Sequence, residues 1–197
     1  LLPLQFRPKA KPNADRFFQK LRDGGRVALQ TPIIFTALCV VALNSFFVRG
    51  VLEIQPAIVG QILGGDSQAL ATATAAAGVG SLLASIWIGL GRLSPDFIRR
   101  CLWPMMASGL FGTACLNAAG SLLPMSFIFI LTGFTATVTG IGAQTLIQLD
   151  VKEDYRARVM TWWSSVSFGS LTVGGIIIGF FGDIVPIQTA ILMVMIP

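Results

Sequence analysis

The sequence contains no histidine. That absence removes imidazole metal ligands, Ser-His and Cys-His nucleophile pairs and histidine proton relays from the chemistry open to this chain. Its three cysteines, Cys39, Cys101 and Cys115, all lie inside apolar segments without a C-x-x-C spacing. An odd, unpatterned set gives no disulfide framework and reads as small core-packing residues. Charge is scarce as well: 12% of residues are charged against 54% hydrophobic, with a mean hydropathy of +0.76. Some stretches lack charge altogether. Neither Leu122–Leu149 nor Thr161–Phe181 holds one charged side chain, and a helix needs about 20 apolar residues to cross a hydrocarbon core of roughly 30 Å. The composition predicts an all-α integral membrane protein. No paired acids within a span and no nucleophile motif point to an enzyme, and no metal or cofactor site is read.

Between those two runs lies Asp150–Met160, DVKEDYRARVM, with three acids and three bases. It reads as a water-exposed turn joining two helices that cross the bilayer. Its cations Lys152, Arg156 and Arg158 place it on the cytoplasmic side, because short loops rich in Lys and Arg stay there. The remaining cations follow the same rule. Of 14 Lys and Arg, seven precede Thr31, three lie in Arg92–Arg100 and three in Lys152–Arg158, leaving only Arg49. The intervening loops Gly60–Gln68, Ala118–Pro124 and Gly182–Pro186 contain none. The pI of 9.6 therefore reflects topology, and no nucleic-acid partner is expected.

Residues 1–31 read as a cytoplasmic segment. A Pro-rich basic linker comes first, then Asn13–Gln30 gathers Phe17, Phe18, Leu21, Ala28 and Leu29 on one side, which suits an interfacial helix. Gly24–Gly25 weaken that helix, and a basic loop is the alternative. Thr31-Pro32 is an N-cap followed by Pro at the first helical position. From there residues 32–197 form a transmembrane bundle. Its spans are Ile33 to about Val59, Ala69–Leu90, Cys101–Ala118, Leu122–Leu149, Met160–Phe181 and an incomplete sixth, Ile187–Pro197. The small residues of the second span and Gly175-x-x-x-Gly179 in the fifth predict close helix contacts. Trp162 and Trp163 read as interface anchors. The chain opens without Met and ends inside an apolar run whose helix would be only about 16 Å long. The expectation is a piece of a longer protein.

Here the residues resemble a known family. Tyr155-Arg156-Ala157-Arg158-Val159-Met160 resembles the loop between helices ten and eleven of the major facilitator superfamily, in its enterobactin and macrolide exporter branch. The Pro of that motif is absent, with Val151 or Lys152 in its place. Gly91, Leu93, Arg99 and Arg100 align with the superfamily's G-x-L-A-D-R-x-G-R-R turn, while Pro95 and Ile98 depart from it. The resemblance implies the carboxyl-terminal half of a twelve-helix transporter, helices seven to twelve, in a bacterial inner membrane. It also implies proton-driven efflux of a small amphipathic compound by alternating access. The partners would be the amino-terminal half, the lipid bilayer and the small-molecule substrate. Uptake of an organic solute and a non-transporting scaffold or sensor on the same fold remain as alternatives.

Two sets of residues are candidates for substrate binding or coupling. Arg49 and Glu53 are the only charges within a span, each costing about 2.5–3.5 kcal/mol at mid-helix. Four residues apart, they could pair on one face. Arg49 lies roughly 24 Å past Ile33, near the outer rim, so a structural ion pair there competes with a functional site. Pro56 and Gly50 predict a broken outer segment, where transporters place sites and gates. Asn44 and Gln55 fall on the opposite face, and the sequence leaves open which face lines a cavity. The second set is a stripe along the fourth span. Gly133, Thr137, Gly140, Gln144 and Gln148 lie within about 80° of one another, and must face protein or a water-filled path. Interhelix hydrogen bonding is the simpler reading. The resemblance favours the other, because helices seven and ten line the superfamily's cavity.

Overall fold

The computed structural model describes residues 14–65, 67–91 and 94–195. Among them every regular element is helical. Helix α1 is Ala14–Gln30 and α2 is Pro32–Glu53. The others are α3, Gln55–Leu63; α4, Ser67–Leu90; α5, Pro95–Cys115; α6, Leu122–Asp150; α7, Glu153–Ile184; and α8, Ile187–Met195. Four of them, α2, α4, α6 and α7, are long and apolar enough to cross a membrane. The basic segment at residues 1–13 lies outside the described residues, as do Arg92 and Leu93.

Several boundaries differ from the sequence reading, each for a local reason. The expected turn Asp150–Met160 contracts to Val151–Lys152, and α7 already runs from Glu153. Glu153 and Asp154 then occupy its first turn, where carboxylates favour the positive end of the helix dipole. The first span does not continue to Val59. It stops at Ile54 (φ −95°, ψ 17°), because Pro56 has no N–H to give the carbonyl of Leu52. The chain restarts as α3 with Pro56 in its first turn. α5 begins at Pro95 and carries Asp96, Arg99 and Arg100 before its apolar part, so the expected third span is not among the four. Gly24 and Gly25 do not interrupt α1: Gly24 packs against Arg158 and Gly25 against the Trp162 ring. Ser94 caps α5, its Oγ accepting from the Phe97 N–H at 3.3 Å. Thr31 sits at the cap position without a side-chain bond.

α6 is the centre of the packing, flanked by α4, α5 and α2, while α7 packs on α2, α1 and α8. The α4–α6 contact is made by small residues on both sides. A methyl at Gly80 would run into the carbonyl of Ile130, and one at Gly133 into that of Ala77. Ser81 Oγ also donates to the Gly133 carbonyl at 3.3 Å. Between α2 and α7 the equivalent contact is Gly174 on the Phe46 carbonyl, with Gly50 beside Gly174 and Gly175. The expected Gly175–Gly179 motif is displaced by one residue. A Cβ on Gly175 or Gly179 would meet nothing within 4 Å, because Gly174 holds the inward position.

The buried apolar residues form two separate clusters. One joins Ile34, Leu38, Val41, Leu102, Leu146 and Val159 at the end that carries the charged turns. The other joins Val51, Ile58, Ala73, Phe129, Ile178 and Ile191 at the opposite end. Between them the interior holds the buried polar residues Asn44, Ser45, Thr132, Thr135, Thr139 and Ser167, alongside the apolar Val48, Ala136 and Val138. Trp163 is partly buried and packs against the first cluster.

Candidate functional site

The polar belt is organised by a local change in α2. Over Asn44–Arg49 the helix widens to π geometry, and the Gly50 N–H bonds the Ser45 carbonyl five residues back. A π turn accommodates one extra residue, so side chains beyond it are rotated from their ordinary helical places. Asn44, Ser45 and Val48 all turn inward. Asn44 is 1% exposed. Its Nδ2 donates to the Ala136 carbonyl of α6 at 3.4 Å, a weak contact, and its Oδ1 has no partner. Ser45 and Ser167 share a hydroxyl contact of 3.3 Å that ties α2 to α7. Thr132 and Thr135 return their hydroxyls to carbonyls of their own helix. The Thr139 hydroxyl is fully buried and unpartnered.

The break at Ile54 opens a second polar contact. Gln55 is buried, and its Oε1 accepts from the Thr74 hydroxyl of α4 at 3.2 Å. Its Nε2 has no partner. A buried polar group without a hydrogen bond costs about 1–3 kcal/mol. Asn44, Gln55 and Thr139 therefore hold hydrogen-bonding capacity that packing alone leaves unused.

The two faces of the first span differ in burial. Asn44 and Gln55 point inward; Arg49 is half-buried and Glu53 exposed. Arg49 and Glu53 form no ion pair, and none occurs among the described residues. The expected stripe on α6 does not join the belt. Gly133 is used against Ala77, Thr137 and Gln144 are half-buried, and Gln148 is exposed. Thr139 lies about 200° round the helix from Thr137, so α6 offers the belt its other flank. Ser45, Thr139 and Ser167 carried no signal in the sequence, because Ser and Thr are ordinary residues of apolar helices.

Arg156, Arg99 and Arg100 are exposed at the charged end, and Arg158 stacks 5.3 Å from the Tyr155 ring centre. Among the described residues no three His, Cys, Asp or Glu side chains come together as metal ligands. Every buried polar side chain of the belt is uncharged. The belt can donate and accept hydrogen bonds, but it cannot change its charge by taking up a proton. The chain matches no protein-family model, no curated protein and no solved structure.

Proposed function

We propose that this chain is the carboxyl-terminal bundle of a major-facilitator-type secondary transporter. It exports a small amphipathic compound across a bacterial inner membrane, working with a second, amino-terminal bundle. The observation that carries this reading is the buried polar belt with unmet hydrogen bonds, set midway along a first helix interrupted twice. Transporters place substrate and ion sites near the bilayer midplane, where helices are discontinuous. Polar groups at that depth are expensive and are retained where they serve a pathway. Two further features fit. The alternation of basic and cation-free loops gives the sidedness, and the outer faces of α4 and α7 leave apolar side chains such as Leu82, Leu83, Ile176 and Phe180 exposed for a neighbouring bundle or lipid. Because the belt is neutral, coupling to a proton falls to Glu53 or to a carboxylate of the partner bundle.

Topology is tested by labelling single cysteines in a background lacking Cys39, Cys101 and Cys115. An impermeant reagent added outside is expected to modify Ser67→Cys and to miss Lys152→Cys, both positions being exposed. The reverse pattern ends the proposed arrangement. Flux is tested in proteoliposomes holding the complete transporter and an imposed proton gradient. An Arg49→Ala/Glu53→Ala variant is expected to insert normally and transport severalfold more slowly. Wild-type flux in that variant would leave both residues as rim anchors. A second reading, uptake of an organic anion, is favoured by one observation: Arg49 is half-buried without an acidic partner among the described residues. On that reading Arg49→Gln alone raises the KM for a carboxylate solute and spares neutral ones.

A further inference from the structure

A cleft of about 710 Å³ opens between α1, α2 and α7, at the charged end of the bundle and outside the polar belt. Its walls are apolar: Leu29 from α1, Phe35, Leu38 and Ala42 from α2, and Val166 from α7. From Phe35 to Ala42 the α2 wall is about 10 Å long. Arg22 and Arg26 of α1 complete the lining, both exposed and without an ion-pair partner among the described residues. Among the described residues no acid lines the cleft; Asp23, between the two arginines in sequence, is not part of it. α1 is held at the height where the apolar helices begin, since Gly24 packs on Arg158 and the Thr31 N–H bonds the Val27 carbonyl at 3.1 Å. Two guanidinium groups thus stand over an apolar trough at the level of a bilayer's headgroups. That is the form of an acyl chain ending in an anion. A peptide strand would find few partners for its backbone, because among the described residues the wall's uncharged polar side chains are Gln30, Cys39 and the Trp162 indole.

We propose that this cleft holds one acidic membrane lipid, with an acyl chain along α2 and α7 and the phosphate between Arg22 and Arg26. The proposal requires a bilayer but does not depend on transport. Two cations at a membrane surface together favour an anionic headgroup by about thirtyfold. Trp162 lines the cleft and provides the readout. The full chain is placed in phosphatidylcholine nanodiscs containing brominated phosphatidylglycerol or brominated phosphatidylcholine, and the quenching lost on Trp162→Phe is measured. Half-maximal quenching is expected at a roughly thirtyfold lower fraction of the acidic lipid. Arg22→Gln/Arg26→Gln should remove that preference. Ala42→Phe, which fills the trough and leaves the charges, should remove the quenching itself while circular dichroism stays unchanged. Equal quenching by the two lipids would overturn the proposal, as would a preference that survives the arginine substitutions. Unaltered quenching in a folded Ala42→Phe protein would also overturn it, since attraction to the surface in general would then suffice.

Discussion

Gly133→Leu is expected to destabilise the bundle by about 3 kcal/mol or more, the upper range for overpacking a tight contact. The side chain would meet the carbonyl and Cα of Ala77, which is backbone and cannot rotate away. Gly80 makes the reciprocal contact on Ile130, so α4 and α6 approach through a glycine from each side. Separating them would also break the Ser81 bond to Gly133 and loosen the packing around Phe129. Gly175→Leu is the matched control. No atom lies within 4 Å of its Cβ position, and substitutions clear of such features usually stay within about 0.5 kcal/mol. Denaturation of the detergent-solubilised chain should rank the variants in that order. A Gly133→Leu protein as stable as Gly175→Leu would mean that α4 and α6 do not meet as described.

The second large effect bears on the proposed transport function rather than on stability. Asn44→Leu should fold at least as well as the parent chain, within about 1 kcal/mol, because it replaces an orphaned buried acceptor with an apolar group. Its one hydrogen bond is long, at 3.4 Å, and little is lost with it. On the proposed function, solute flux through the reconstituted complete protein should nevertheless fall at least tenfold. Asn44 stands in the π turn against Ala136 of α6, three residues before Thr139, the other buried side-chain oxygen without a partner among the described residues. A solute or water crossing the belt would bond to these two atoms. Asn44→Leu with unchanged flux and unchanged stability would remove the belt from the pathway. Loss of both together would show a purely structural residue.

Which parts of the fold were legible follows from the periodicities involved. Apolar length and the clustering of cations are properties of the chain itself, so the helices α2, α4, α6 and α7 could be read directly. Helix ends were less secure. The Asp150–Met160 segment looked like a loop because charge marks exposure to water, and an exposed first turn of helix carries charge just as a loop does. At Pro56 the missing N–H announced the break, since that effect is local and needs no neighbour. The π turn at Asn44–Arg49 had no such mark.

The sequence by itself determined that the chain is helical and apolar, which ends of the helices are charged, and that histidine chemistry is absent. These rest on residue identity and spacing along one strand of chain. Only the tertiary structure decided which flank of each helix faces inward. Asn44, Ser45 and Val48 of the π segment face the interior together, and on α6 the neighbouring helices cover Thr139 more fully than Thr137. Likewise Gly174 is chosen over Gly175 because the Phe46 carbonyl lies against it. In apolar helices all faces are hydrophobic, so no moment along the sequence points to the core. The direction is set by which backbones can approach most closely.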